Sequence, residues 1–481
     1  MSKANNRSVF EEFLGLFAEV RAGEGVQVLL LFANIFLILA SYYILKTVRD
    51  ALLIGGVELF GIKGSEIKAY LPAVMSVLLL GIVPAYGVLS TKVDRLQLLK
   101  ITMGFVIACL VVLGAWGIVT GPGTAIGLTF YVWLGIINVF LIAQFWSYAN
   151  DIYTEKQGKR LFAIIAIGQS LGAILGPLIA DVGKDYTFPL LVFSAILFGV
   201  CLMLYIVVNA RQAQDVKSAS DQPTGDKPLD KDGGFQLIFQ TRYLLLIALM
   251  ILVTNVVNTT GEYILGAAAD SHSRAEKTVE GVLGSEAAAR VASSDQGEKV
   301  LSSAEQTQLK EARVSVIQSF YARFFSFVNL LGLFIQMFLV SRIFQYFGVR
   351  AALFVLPVIA FGGYAAIGLV GGLLVLRIAK TVENATDYSL QNTVKQALFL
   401  STSREAKYKA KAAIDTFFVR FGDAASAGIV AVGLNVLAFG PTEFALVNVG
   451  LCVIWIVLNV GIAREHRKMV PDDASKPGST D

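Results

Sequence analysis

Between Ser41 and Asp50 the chain reads Ser-Tyr-Tyr-Ile-Leu-Lys-Thr-Val-Arg-Asp, closing an apolar run that opens near Val26. Lys46 and Arg49 are continuous with that run, and Asp50 stands one helical turn after Lys46. At helical spacing Tyr42, Lys46, Arg49 and Asp50 share one face. A second group, Arg377, Lys380, Asn384, Asp387, Gln391 and Lys395, recurs at intervals of three or four residues, with Glu383 beside it. Lys411 and Asp415 lie one turn apart, Arg420 and Asp423 follow, and Asn255, Asn258 and Glu262 fall in another apolar run.

A cation near the centre of a bilayer costs at least about 2.5–3.5 kcal/mol, so these side chains should face protein or water and not lipid. Arginine grips phosphate through its planar fork and lysine as a point charge, which suits a multiply anionic solute. Aromatic side chains nearby, Tyr42, Tyr43, Trp146 and Tyr148, offer faces on which a flat base could stack, and Gln144 to Asn150 adds polar groups. Two structural alternatives stand beside this reading. The first-run charges could mark a helix end and snorkel to the interface, and the second group could be a salt-bridge ladder that locks helices together.

The elements that carry these residues follow from composition. Hydrophobic residues make up 55% of the 481 and charged residues only 16%, whereas a soluble domain needs roughly 25% charged residues to cover its surface. Repeated apolar runs predict an all-α polytopic membrane protein of about twelve transmembrane helices. The expected spans are 26–48, 69–90, 101–120, 126–147, 161–181 and 188–209, then 243–265, 316–340, 351–370, 372–396, 412–436 and 442–463. This divides the chain into an amino-terminal segment 1–25, a six-helix bundle 26–209, a linker 210–242, a second bundle 243–463 with an outer loop 266–312, and a tail 464–481. Arg211 to Gly234, rich in Asp, Lys, Ser, Pro and Gly, reads as flexible. The outer loop is rich in Ala, Glu, Lys and Arg, which predicts one or two polar helices outside the membrane.

Basic residues orient the spans. Lys92, Arg95 and Lys100 occupy the second loop, Lys156, Lys159 and Arg160 the fourth, and Arg342 and Arg350 the eighth. Arg404, Lys407, Lys409 and Lys411 occupy the tenth, and Arg464, Arg467 and Lys468 the tail. The positive-inside rule then puts both termini in the cytoplasm, and we expect a multi-pass protein of a bacterial inner membrane. Phe10 to Val20 could form a short amphipathic surface helix. No cleavable signal peptide is expected, because the chain is polar through Arg21 with no short apolar region and cleavage site after it.

The halves echo each other. Basic hinges, Leu89 to Ile101 and Leu339 to Ala351, follow the second and eighth spans. Gly168-Gln-Ser-Leu-Gly172 in the fifth span matches Gly422-Asp-Ala-Ala-Ser426 in the eleventh, each after a basic loop. A six-plus-six parallel repeat is the major facilitator architecture, with its substrate site near mid-membrane between halves. The Asp94-Arg95 hinge and Gly172-x-x-x-Gly176-Pro177 resemble that superfamily's loop and fifth-helix motifs. Close helix packing accounts for Gly168, Gly172 and Gly176 in either case.

Several chemistries are excluded. Cys109, Cys201 and Cys452 all fall in spans, far apart, and His272 and His466 lie outside the spans, so no metal site or cofactor is expected. No Walker A pattern and no hydrolytic triad occur, so a nucleotide would be cargo and not fuel, and the chain is not expected to be an enzyme. The net charge of +4 gives no ground for nucleic-acid binding, and the sequence sets no oligomeric state.

Four stretches resemble the non-mitochondrial ATP/ADP translocases of plastids and obligate intracellular bacteria. Tyr42-Tyr-Ile-Leu-Lys-Thr-Val-Arg-Asp50 looks like the family's Tyr-x-Ile-Leu-Arg-Asp-Thr-Lys-Asp. Phe145-Trp-Ser-Tyr-Ala-Asn150, before a basic loop ending Lys159-Arg160, looks like Phe-Trp-Gly-Phe-Ala-Asn. Tyr388-Ser-Leu with Lys395 after it looks like Tyr-Ser-Leu-Phe with its trailing Lys, and Lys409-Ala-Lys-Ala-Ala-Ile-Asp415 looks like Lys-Gly-Lys-Ala-Ala-Ile-Asp. The resemblance implies a nucleotide antiporter working by alternating access around a central basic site, with the bilayer as its setting. Arg49 would then match the family's essential first-helix lysine, Lys46 the arginine beside it, and Lys409 and Lys411 its eleventh-helix basic pair. The chain departs from the family at Val132-Trp-Leu-Gly135, where a fourth-helix glutamate is absent, and at Asp387, where a lysine is usual.

The phosphate-binding candidates are accordingly Lys46, Arg49, Arg377, Lys380, Lys395, Lys409 and Lys411, with Tyr42, Tyr43, Trp146, Asn150 and Asn384 as polar or aromatic contacts. Asp50, Glu262, Glu383, Asp387 and Asp415 would pair with the cations or form gates. Two further readings stand beside exchange. One is a proton-coupled carrier of another anionic solute, and the other a non-transporting membrane scaffold with its charges internally paired.

Overall fold

The computed structural model describes residues 24–153, 155–215, 234–294, 297–403, 406 and 410–469. The Phe10–Val20 segment, most of the linker, the end of the tail and Lys409 lie outside the described residues. Helix α1 spans Gly25–Gly56, and two two-residue strands, Glu58–Leu59 (β1) and Ile62–Lys63 (β2), follow it. Next come α2 Gly64–Lys92, α3 Arg95–Thr120, α4 Thr124–Ile152, α5 Glu155–Val182 and α6 Thr187–Asp215. The second part opens with α7 Gly234–Gln240 and α8 Arg242–Ser273, then the short helices α9 Glu276–Leu283 and α10 Ser285–Ser293. It continues with α11 Ser303–Phe334, α12 Val340–Leu369, α13 Leu373–Thr386, α14 Asn392–Leu400, α15 Lys411–Ala413, α16 Val419–Asn435 and α17 Pro441–Met469.

Ten helices among the described residues are long and apolar enough to cross a membrane. One of these runs, Ser303–Leu369, holds two of the expected spans, joined at Gly348, whose φ of 73° breaks the helix. The expected tenth span is helical from α13 through α14 but too charged to qualify on composition alone. Local signals set several ends. The Asp94 carboxylate accepts from the Gln97 backbone N–H at 2.6 Å and caps α3, and Gly121, with φ of 70°, terminates it.

Turns of π-helix interrupt the second part, at Ile335–Leu339, Asp387–Gln391 and Ile414–Phe418. Each π turn takes one residue more than an α turn, and such turns are frequent at functional sites. Two of them begin on or next to candidate residues, Asp387 and Asp415.

The chain forms two compact units. The first comprises residues 24–61, 78–215 and 273–326, and the second comprises 62–77, 234–272 and 327–469.

In the first unit α1 is the central helix, packed by α5, α6 and α4. The glycine ladder of α5 explains the closeness of that contact. A Cβ at Gly168, Gly172 or Gly176 would lie 2.7, 2.3 or 2.4 Å from the carbonyl oxygens of Phe32, Phe36 and Ala40. Only glycine lets the two backbones approach this far, so the spacing of four is a packing seam. Helix α3 lies along α6, and Asn34 of α1 donates from Nδ2 to the Cys201 carbonyl of α6 at 3.1 Å.

Residues 273–326 belong to this unit. Helices α9 and α10 lie within 266–312, where the sequence predicts one or two polar helices, and Val279, Ala287, Ala288, Leu301 and Leu309 give the stretch its own small core. Burial alone raises the Glu298 carboxylate, but the Arg313 guanidinium outweighs it and holds this acid below its ordinary range. Gln318 of α11 donates to the Ala180 carbonyl at 2.8 Å, and Ser319 donates to Asp181 at 2.5 Å.

The second unit repeats these relations. Helix α16 lies on α8, where a Cβ at Gly422 would meet the Leu252 carbonyl oxygen at 3.0 Å. Ser426 and Thr260 share a hydroxyl hydrogen bond at 3.0 Å, and Asn255 donates to Asp423 at 2.7 Å. Helix α12 packs along α17, tied by Asn459 donating to the Leu353 carbonyl at 2.7 Å. Fifth on first and third on sixth thus recur as eleventh on seventh and ninth on twelfth.

Candidate functional site

Helix α1 continues past Asp50 through Ala51, Leu52, Leu53 and Ile54, all buried. The Lys46–Asp50 charges therefore lie inside a helix and not at its end, as snorkelling would require. Asp50 is 1% exposed, and the Arg49 guanidinium places Nε at 3.0 Å and a terminal nitrogen at 2.8 Å from its Oδ1. The same guanidinium stacks 4.3 Å from the ring centroid of Tyr131 in α4. The Lys46 ammonium sits 4.2 Å from the centroid of Phe325 and 5.3 Å from that of Tyr43. Cation–π contact of this kind stabilises a cation away from water. Tyr42 and Tyr43 are buried and meet edge to face at 5.3 Å. Trp146 meets Phe162 of α5 edge-on at 5.4 Å, and Asn150 is exposed near the end of α4.

In the second unit α13 carries Arg377, Lys380 and Glu383. Lys380 is 0% exposed, and its ammonium lies 3.0 Å from Glu383, 3.4 Å from the Tyr364 hydroxyl and 3.5 Å from Asn258 Oδ1. A buried cation survives only with such partners, because desolvation costs several kcal/mol per ion after relaxation. Asn384 donates to Glu262 at 3.0 Å, and Glu262 also meets Lys68 at 3.5 Å. Arg377 is half-buried on the same helix.

The π turn at 387–391 resets the register. With one extra residue in the turn, Lys395 comes two turns below Asp387 on the same face, and the two pair at 3.5 Å. Lys411 reaches Gln396 at 2.5 Å, Asp415 is exposed, and Arg420 pairs with Asp423 at 3.3 Å.

Lys68, Tyr131, Phe325 and Tyr364 are participants that the sequence reading did not single out. Lys68 precedes the expected second span by one residue, but α2 begins at Gly64 and carries it into buried surroundings. A lysine so close to an apolar run was the available signal. The three aromatic residues look like ordinary packing residues, and only the fold shows what they touch.

No family model matches the chain. It is similar to ADP,ATP carrier protein 1 of Chlamydia muridarum and of Chlamydia trachomatis. Each is 19% identical over 369 residues, covering 66% of this chain and 61% of theirs. The chain thus spans about three-fifths of the length of the curated relatives it matches. Among solved structures it resembles a POT family transporter in complex with 5-aminolevulinic acid, at a TM-score of 0.58 and 14% identity over 92% of this chain and 96% of the other. It also resembles the nucleoside transporter NupG, at 0.55 and 11% over 92% and 99%. The human organic anion transporter MFSD10 matches at 0.52 and 15% over 91% and 100%. The chain therefore has the major-facilitator-type all-α membrane fold.

Proposed function

We propose that this chain is a membrane transporter that exchanges adenine nucleotides, ATP against ADP, by alternating access. The basic residues of its charged spans would grip the phosphates. The observation that carries the reading is that the charged spans bury their charges: Lys380 is 0% exposed and Asp50 1%. Arg49–Asp50, Lys380–Glu383, Lys395–Asp387 and Arg420–Asp423 pair within one helical stretch, and Lys68–Glu262 joins two helices. Ionised groups held at membrane depth are costly and mark a solute path.

Lys46, against the faces of Tyr43 and Phe325, and Lys411, beside Gln396 and Asp415, are proposed ligands of the phosphate oxygens. The similarity to two proteins named ADP,ATP carriers supports adenine nucleotide as the cargo. The basic residues of the second, fourth, eighth and tenth loops support cytoplasmic termini in a bacterial inner membrane.

Thermal unfolding of the purified chain tests binding. A nucleotide at about 100 times its Kd stabilises the folded state by ~2.7 kcal/mol. ATP and ADP are expected to raise the melting temperature, and adenosine is expected to leave it unchanged. An equal rise with adenosine would rule out a phosphate-gripping site.

A further inference from the structure

The proposed exchange requires an anion to take the Lys380 ammonium away from Glu383. That step strands a carboxylate in a buried site, which is strongly unfavourable unless another donor holds it. We propose that Tyr364 is that donor: its hydroxyl holds Glu383 while the anion holds Lys380. The inference rests on the anion-exchange reading above.

Tyr364, on α12, is 1% exposed. Its hydroxyl lies 3.1 Å from Glu383 Oε1, 3.4 Å from Lys380 Nζ and 3.3 Å from the Val257 carbonyl oxygen. The Val257 carbonyl already accepts from Asn448 Nδ2 at 3.1 Å, and an ionised carboxylate is the stronger acceptor. The phenol proton therefore goes to Glu383, and the phenol oxygen accepts from Lys380. When the ammonium turns to an anion, the bond to Glu383 stays in place.

Gly261 on α8 makes this arrangement possible. A Cβ there would fall 2.0 Å from the Tyr364 hydroxyl and 2.7 Å from Lys380 Nζ. Any larger residue would push both groups out of position. Tyr364 is thus a positioning residue, acting on the anion through Lys380 and Glu383.

The test is a double-mutant cycle on ATP affinity, measured calorimetrically with the purified full chain and with Tyr364→Phe, Glu383→Gln and the double variant. Gel filtration and thermal unfolding check that each is folded. Loss of a hydrogen bond to a charged group is expected to weaken ATP binding by about tenfold in Tyr364→Phe. In the Glu383→Gln background the same loss is expected to have no effect, because a neutral amide needs no donor to hold its charge. A packing role for the hydroxyl would give the same loss in both backgrounds.

Gly261→Ala displaces the hydroxyl and the Lys380 ammonium together and is expected to weaken binding at least as much as Tyr364→Phe. If Tyr364→Phe does not fold, the comparison within the Glu383→Gln background still decides. Equal ATP affinity in the unsubstituted chain and Tyr364→Phe overturns the inference alone. No ATP binding by the folded unsubstituted chain overturns the nucleotide reading and the inference with it.

Discussion

Replacing Arg49 with glutamine is expected to abolish nucleotide exchange and to destabilise the fold by roughly 3–5 kcal/mol. The stability loss arises because Asp50, 1% exposed, loses the guanidinium that holds its Oδ1 at 2.8 and 3.0 Å. The loss of exchange arises separately, because the guanidinium is a proposed phosphate ligand. Arg49→Gln combined with Asp50→Asn separates the two effects. The double variant removes the whole pair and is expected to recover most of the stability, as judged by thermal unfolding, yet remain inactive in exchange. If exchange returned with stability, Arg49 would serve only to neutralise Asp50, and the scaffold reading of this pair would be the better one.

Lys411→Gln should give the other half of the pattern. Lys411 is partly exposed, donates to the neutral amide of Gln396 at 2.5 Å and stands near the exposed carboxylate of Asp415. Removing its charge leaves no buried carboxylate behind, so stability should change by less than about 0.5 kcal/mol. Exchange is expected to fall to background all the same, because a phosphate-binding cation is gone. A Lys411→Gln protein with full exchange activity would remove the eleventh span from the site.

The spans were legible because apolar runs near 20 residues have one physical solution in a bilayer. The glycines at 168, 172 and 176 were legible too, since a spacing of four small residues already implies backbones in contact, and a Cβ at Gly172 would fall 2.3 Å from Phe36 O. The π turn in the charged helix was not. Intervals of three or four put Asp387 and Lys395 in one series, and the extra residue of the turn at Asp387–Gln391 brings the two onto the same face, where they pair at 3.5 Å. Nor did the end of the first span show itself at Asp50. Charges usually close an apolar run, but here Ala51 to Ile54 carry α1 on with buried side chains. Tyr364 was invisible for a plainer reason. Its role depends on the notch at Gly261, more than 100 residues away on another helix.

The most direct test of the central claim is uptake of labelled ATP into proteoliposomes containing the purified full chain, with ADP inside the vesicles or absent. Uptake is expected to be rapid, to depend on internal ADP and not to respond to an imposed proton gradient. Uptake that ignores internal nucleotide and follows the proton gradient would contradict exchange and favour a proton-coupled carrier. A folded chain that neither binds nor moves ATP would contradict nucleotide transport itself.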